Sequence, residues 1–284
     1  RSWLRIFIIN YLFIFVYLFI LMEVIAVATH NERFYNSFID SFNKYNINPT
    51  ILGWKQKYTG HLMKDNLLEE YLSKTAKKRL VLFCDAYDCI LLRNPKELIE
   101  LFNIANKEMI ISNEDAQKNI IINISKRFFF GTVDNKLINT GIIMGYSDSF
   151  LKCLRIIKKY RIEGINSNQK IWTIALQNNK YLKNLVHIDY KNEFFKNHNK
   201  YSSDIIFKNN KVYIPYKKTY PFVLQANENN NLNFISEKLN IRTSNVKKSD
   251  IEKYNKNFYN YYFLPYRNYV IFLFTIIIIC SLFI

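Results

Sequence analysis

Residues 80–92 read Leu-Val-Leu-Phe-Cys-Asp-Ala-Tyr-Asp-Cys-Ile-Leu-Leu, and this is the most informative stretch of the chain. Apolar residues that favour β-structure run from Leu80 to Phe83, and two carboxylates, Asp85 and Asp88, follow before a second apolar run. Open α/β sheets bind ligands at the carboxyl ends of their strands. Paired carboxylates there suit a hard divalent cation, which takes oxygen ligands and can also hold a diphosphate. The stretch predicts a metal site at a strand end; the alternative is a strand followed by an Asp-capped turn.

The residues on either side of this stretch predict a single α/β domain. Asn94 and Pro95 are typical of a helix start, because asparagine caps helices and proline fits the first turn. Upstream, an aromatic stripe at helical spacing begins at Phe34, and we predict Asn31 as the N-cap of that helix. Strand-like and helix-like periodicities alternate between residues 23 and 245, which indicates a mainly parallel sheet.

Charge and cysteine content limit the classes of function. The 284 residues carry 40 Lys and Arg against 23 Asp and Glu, a net charge of +17. Such a surface favours anionic partners, but no nucleic-acid-binding motif accompanies it, so we expect no nucleic-acid partner. Cys84 and Cys89 flank the carboxylates without forming a C-x-x-C pair, and we interpret them as small buried hydrophobic residues rather than a redox pair.

Both ends of the chain are strongly apolar. The run from Trp3 to Met22 has the length of a bilayer span, and Arg1 and Arg5 at its start favour a lumenal domain. We therefore expect a transmembrane signal-anchor at residues 1–22. The alternative is a signal peptide cleaved near Ala26-Val27-Ala28.

The carboxyl-terminal part continues this pattern. We expect the α/β domain to cover residues 23–245 and a linker to cover 246–267. The apolar segment 268–284 is predicted as a second membrane segment, and the alternative is an amphiphilic tail docked on a surface.

These features resemble the GT-A glycosyltransferase domain of procollagen lysyl hydroxylases and its viral and protist relatives. That family has a strand ending in D-x-x-D and then a helix that starts with proline, matched here by Asp85, Asp88 and Pro95-Lys96-Glu97-Leu98. Residues 24–29, Val-Ile-Ala-Val-Ala-Thr, are similar to its first strand, whose end meets the nucleotide. Residues 137–146 contain Asn-Thr-Gly-Ile-Ile-Met-Gly and are similar to its acceptor-side strand. The likeness covers most of the chain.

The resemblance implies a Rossmann-like GT-A fold and a specific activity. It implies transfer of glucose or galactose from a UDP-sugar to a hydroxyl on a protein or glycan, with Mn²⁺ as cofactor, in the endoplasmic reticulum or Golgi membrane. The implied metal ligands are Asp85, Asp88 and Gln225. The implied donor-binding residues are Thr29, Lys64, Asp85, Tyr87 and Asn227. Asn139 and Asn168 would orient sugar hydroxyls.

Each implied role has a structural alternative that the sequence leaves open. Lys64 would add a point charge at the diphosphate, but it could be a solvated helix lysine. Gln225 could be an ordinary strand-end side chain, and Asn139 and Asn168 could each cap a turn.

Two departures from the family pattern motivate a second function. The metal-binding histidine of the family's closing motif is Gln225 here, and the motif's glycines are Ala226 and Glu228. The family's acidic run has become Asn166-Ser167-Asn168. The alternative function is therefore a catalytically degenerate descendant that still binds a nucleotide or a glycan. A third reading is a basic adaptor at a membrane surface.

Overall fold

The structure is a computed structural model that describes residues 22–244, except for 76–77, 116–119, 199–204 and 227–230. Within these limits, the helices include none long and apolar enough to cross a membrane. The predicted anchor, linker and second apolar segment lie outside the described residues. The exception is Met22, which packs in the hydrophobic core of the domain.

Eleven strands and eight helices form the described part of the chain. The strands are β1 (Glu23–Val27), β2 (Thr50–Leu52), β3 (Leu80–Asp85), β4 (Cys89–Leu91), β5 (Met109–Glu114), β6 (Leu137–Tyr146), β7 (Val186–Asp189), β8 (Phe195–His198), β9 (Ile206–Lys208), β10 (Lys211–Tyr213) and β11 (Val223–Ala226). The helices are α1 (Tyr35–Asn43), α2 (Leu62–Lys74), α3 (Pro95–Ala105), α4 (Ile120–Phe130), α5 (Ser147–Lys158), α6 (Asn168–Asn178), α7 (Lys180–Leu185) and α8 (Asn233–Lys238).

A six-stranded sheet with the order β2-β1-β3-β6-β5-β7 forms the centre of the domain. Strand β1 runs parallel to β2 and β3, and β5 runs parallel to β7, as the alternating periodicities predict. Strand β6 is antiparallel to both β3 and β5, so the sheet is mixed. The sequence does not reveal this reversal, because side-chain periodicity reports burial and is the same for either strand direction.

A smaller sheet of β4, β11 and β8 lies beside the carboxyl end of β5. The contact is polar, since the Asn197 side chain donates to the backbone carbonyl of Asn113 at 2.7 Å. At this point the pairing of β5 and β6 shifts: Ile111 lies opposite Ile143, but Ser112 lies opposite Asn139. The extra residues of β6 form a bulge, and a bulge changes the direction in which nearby side chains point.

The starts of α3 and α1 test the two helix caps predicted from the sequence. Asn94 accepts a hydrogen bond from the backbone of Lys96 at 3.0 Å and caps α3, as predicted. The prediction that Asn31 caps α1 is wrong. Helix α1 begins at Tyr35, and the Asn31 amide instead donates to the Asn36 side chain at 3.1 Å. The aromatic stripe that follows is buried in the core, as expected.

The two cysteines that flank the carboxylates are fully buried free thiols. Cys84 lies in β3 and Cys89 begins β4, and both belong to the apolar core. Their burial agrees with the interpretation that they are small hydrophobic residues.

Candidate active site

Asp85, Asp88 and Gln225 meet at the carboxyl end of β3. Asp85 is the last residue of β3, and Asp88 ends the turn that leads into β4. Strand β11 pairs with β4 so that Gln225 lies opposite Cys89. The Gln225 amide nitrogen consequently lies 3.5 Å from an oxygen of Asp85 and 3.3 and 3.4 Å from the two oxygens of Asp88. The pairing of two distant strands thus closes the site over both carboxylates.

The bulge in β6 provides the space that Gln225 occupies. Gly141 lies in this bulge, and a Cβ atom there would come within 2.2 Å of the Gln225 amide nitrogen. The amide oxygen of Gln225 is buried and has no hydrogen-bond partner among the residues that the structure describes. A buried acceptor without a partner carries a desolvation cost of about 1–3 kcal/mol, so it is a ready ligand for a cation or a donor group.

Lys64 neutralises one of the two carboxylates. Its ammonium donates to both oxygens of Asp85, at 2.7 and 2.8 Å, and its side chain is only 13% exposed. Burial lowers the pKa of Lys64, but the charge of Asp85 and the hydrogen bond to it raise that pKa above its usual value overall. Lys64 is therefore a charged, buried component of the site rather than a solvated helix lysine.

Asp88 carries the unbalanced charge of the pair. Burial, followed by the negative charge of Asp85, raises the pKa of Asp88 to about 7, although Arg33, Lys64 and the Gln225 hydrogen bond oppose this rise. Two neighbouring buried carboxylates do not both ionise easily unless a cation is close. The electrostatics of the site therefore favour an additional positive charge between Asp85 and Asp88.

The site has few potential metal ligands, but their chemistry fits a hard metal ion. Within the described ranges, no three side chains of the types His, Cys, Asp and Glu group together to hold a metal. Two carboxylates and the unpartnered amide oxygen of Gln225 nevertheless supply oxygen atoms of the kind that hard cations prefer. A cation here would need further ligands, which a diphosphate or water can provide.

Thr29 and Tyr87 are brought together at the neighbouring strand end. The Tyr87 hydroxyl accepts hydrogen bonds from the backbone nitrogens of Thr29, at 2.8 Å, and His30, at 3.2 Å. It donates to the His30 carbonyl at 3.1 Å. Because Tyr87 lies between Asp85 and Asp88 in the sequence, these bonds fix the end of β1 against the carboxylate turn.

The two predicted sugar-orienting residues lie near this edge and already have protein partners. The Asn139 side-chain oxygen accepts from the backbone of Gly141 at 2.7 Å, inside the bulge. The Asn168 oxygen accepts from the backbone of Gln169 at 2.9 Å, and its amide nitrogen lies 3.5 Å from Asp65. Both are local side-chain to backbone interactions, and the N-cap of α6 is Ser167 rather than Asn168. Asn227 lies outside the described residues.

Sequence reasoning missed two buried polar groups near the site. Asp65 is 8% exposed, and its carboxylate accepts from the indole nitrogen of the fully buried Trp172 at 3.2 Å. The ammonium of Lys196 is also buried, and it donates to Asp115 at 2.6 Å and to the Tyr216 hydroxyl at 2.9 Å. No sequence signal marks either group, because single Asp and Lys residues are usually solvent-exposed.

Asp65 should make stability depend on pH. Burial raises its pKa to about 6 against the opposing hydrogen bonds from Asn168 and Trp172 and the charges of Lys64 and Arg161. The folded state therefore holds this proton more tightly than the unfolded state does, so the contribution is full below about pH 4 and lost as the pH rises through about 6. Relative to Asp65→Asn, the wild-type free energy of unfolding should fall over this range by on the order of 3 kcal/mol at most.

Urea unfolding of both proteins between pH 4 and pH 7 measures this difference. Other buried carboxylates titrate in both proteins and cancel in the comparison. Parallel stability curves for the two proteins would contradict the assignment of a raised pKa to Asp65.

The fold and the carboxylate pair define the domain as a GT-A type nucleotide-sugar transferase fold. The PLOD GT domain family matches residues 20–247, which is most of the chain. The chain belongs to this family. The resemblance predicted from the sequence is thus confirmed, and so is the GT-A fold class.

Individual relatives are distant and longer. A multifunctional procollagen lysine hydroxylase and glycosyltransferase of Caenorhabditis elegans is 24% identical over 249 residues, which cover 78% of this chain and 32% of that protein. A multifunctional procollagen lysine hydroxylase and glycosyltransferase LH3 of Rattus norvegicus is 24% identical over 204 residues, which cover 65% of this chain and 26% of that protein. An uncharacterised protein of Acanthamoeba polyphaga mimivirus is 22% identical over 219 residues, covering 72% and 45%. The chain spans less than half the length of each of these relatives.

Proposed function

We propose that this domain transfers glucose or galactose from a UDP-sugar to a hydroxyl group of a protein or glycan, with Mn²⁺. The observation that carries the proposal is the meeting of Asp85, Asp88, Gln225 and Lys64 at one strand end. Helix α2, the end of β3 with the turn that follows it, and the distant strand β11 contribute these side chains. Membership of the PLOD GT domain family supports transferase chemistry at this place.

Asp85, Asp88 and the amide oxygen of Gln225 would hold the metal ion. When bound, it supplies neutralising charge to the diphosphate leaving group. The Gln225 amide would need to turn, because its nitrogen faces both carboxylates in the structure. Gly141 has no side chain, so either end of the amide can pack directly against the backbone there.

Lys64 would change partner when the donor binds. In the structure its ammonium satisfies both oxygens of Asp85. A lysine side chain is a flexible point charge, so it can leave a carboxylate that binds a metal and donate to an adjacent diphosphate oxygen. Thr29 and Tyr87, at the end of β1, would contact the nucleoside part of the donor.

The test is a calorimetric titration of the purified full chain with UDP, with and without Mn²⁺. We expect Mn²⁺ to raise the UDP affinity at least about tenfold, which corresponds to about 1.4 kcal/mol. Release of glucose or galactose from the UDP-sugar would then be measured in the same preparation. Equal UDP affinity with and without Mn²⁺ would contradict a metal-dependent site.

A catalytically degenerate nucleotide- or glycan-binding protein is the second candidate. The observation that favours it is the low count of strong ligands: Gln225 stands where an imidazole would bind more tightly, and Lys64 already occupies Asp85. This candidate predicts UDP or glycan binding without any hydrolysis of either UDP-sugar. Hydrolysis that depends on Asp88 would exclude it.

We propose in addition that the chain is anchored in the endoplasmic reticulum or Golgi membrane with the domain in the lumen. The support is the apolar run Trp3 to Met22 behind Arg1 and Arg5. In sealed microsomes, a protease added outside should leave a fragment containing residues 23–245 intact until detergent is added. Complete digestion of the domain without detergent would reverse the orientation.

A further inference from the structure

Hydrogen bonds and one close packing contact join residues 60–66 to residues 161–172, next to the Lys64 ammonium. The Arg161 guanidinium donates to the Asn66 side chain at 2.7 Å. The Asn166 side chain covers Gly60, where an added Cβ would lie within 2.1 Å of its amide nitrogen. The indole nitrogen of Trp172 donates to Asp65 at 3.2 Å. The start of α2 therefore contacts the segment from Arg161 to the start of α6 at three separate places.

The contact between Asp65 and Trp172 is the most deeply buried of the three. The Asp65 carboxylate accepts from Trp172, and the Asn168 amide lies 3.5 Å away. The charged groups that face it are Lys64, on the same helix, and Arg161, from the opposite segment. Burying a carboxylate is costly unless it is hydrogen-bonded, and both side-chain donors to Asp65 come from α6.

The first turn of α2 has no side-chain cap. Its N-cap residue is His61, whose side chain makes no capping hydrogen bond to the described backbone of the helix. Asp65 lies in this first turn, where a negative charge also favours the helix dipole. The interaction of Asp65 with α6 thus attaches an uncapped turn to a second helix.

Lys64 and Asp65 are neighbours that point to different partners. Consecutive helix residues are separated by about 100° around the axis, so one can face the core and the other a second element. Lys64 reaches Asp85 on β3, while Asp65 reaches Trp172 on α6. Any movement of the first turn of α2 would therefore move the Lys64 ammonium relative to Asp85.

We propose that Asp65 is a positioning residue that acts through Lys64. By holding the first turn of α2 against α6, it keeps the Lys64 ammonium within reach of both Asp85 and the diphosphate of a bound donor. Asp65 itself touches neither the donor nor the metal. The role of the donor in this inference rests on the proposed function. The geometry rests on the observed contacts of Asp65 and Lys64.

A double-mutant cycle tests the inference on the full chain. The proteins are wild type, Asp65→Ala, Lys64→Met and the double variant, and UDP affinity is measured by calorimetry with Mn²⁺. We expect Lys64→Met to weaken UDP binding about tenfold in the wild-type background but less than about twofold in the Asp65→Ala background. Asp65→Asn, which keeps an acceptor for Trp172, should recover most of the UDP affinity. Glu70→Ala, an exposed carboxylate on the same helix, serves as the control.

A second readout keeps the inference separate from the proposed function. The urea midpoint of the same four proteins should show that Lys64→Met lowers stability less when Asp65 is already absent, since the Lys64–Asp85 ion pair is then weakened. If the wild-type chain binds no UDP, the proposed function fails, and the unfolding cycle alone decides the role of Asp65. Equal effects of Lys64→Met in both backgrounds, by UDP binding or by unfolding, would overturn the inference.

Discussion

Asp85→Ala and Asp88→Ala are each expected to abolish Mn²⁺-dependent UDP binding. Substituting a residue that only hydrogen-bonds to a metal ligand already costs about 10–100-fold in metal affinity, so loss of a direct carboxylate ligand should cost at least about 100-fold. Solvent replaces the lost charge poorly, because both carboxylates lie beneath Gln225 in a site closed by β11. Calorimetry of UDP with Mn²⁺ measures the loss.

The two variants should differ in their effect without metal. Asp85→Ala removes the partner of the buried Lys64 ammonium and should lower stability, whereas Asp88→Ala relieves repulsion between two carboxylates. Glu100→Ala, at an exposed position of α3, is the matched control and should bind UDP as wild type does. Unchanged Mn²⁺-dependent binding in both aspartate variants would reject the metal site.

Gln225→His is expected to strengthen Mn²⁺ binding about tenfold and to raise any UDP-sugar hydrolysis. A neutral amide oxygen is a weaker ligand than an imidazole nitrogen, which is among the commonest metal ligands in proteins. Gly141 has no Cβ atom that would collide with a side chain at position 225. Electron paramagnetic resonance of free Mn²⁺ gives the affinity directly, without reference to activity.

Gln225→Ala is the companion variant, since it removes the amide without adding a ligand. If Gln225 contributes to the metal site, this variant should bind Mn²⁺ more weakly than wild type. If Glu228 is the third ligand instead, Glu228→Gln should lower Mn²⁺ affinity while Gln225→Ala does not. No change in any of these variants, together with no detectable hydrolysis, would favour the binding-protein function over the enzyme.

The elements that the sequence predicted well are those with local physical signals. Leu80 to Phe83 form a buried strand because burying these apolar side chains is favourable. Asn94 caps α3 through its own side chain. Asn31 failed as a cap because the helix begins four residues later, at Tyr35, with Phe34 in the N-cap position. Local signals thus predicted the elements, but not the residue at which each one starts.

The site was predictable only in part, for a different reason. Gln225 and Asp85 are 140 residues apart, and no periodicity links them; only the family resemblance placed them together. That resemblance offered no guide to Asp65, whose importance depends on contacts with Asn168 and Trp172 on a different helix. Similarly, the reversed direction of β6 follows from chain topology, which side-chain patterns do not encode.

The separation of these residues also sets an order of assembly during synthesis. Lys64 precedes Asp85 by 21 residues, so the ion pair between them can form as soon as β3 leaves the ribosome. Gln225 follows Asp85 by 140 residues, which at about 5–20 residues per second is a delay of roughly 7–28 seconds. During that interval β4 has no partner from β11. The lysine proposed here to bind the donor would therefore first neutralise Asp85 in an unfinished site.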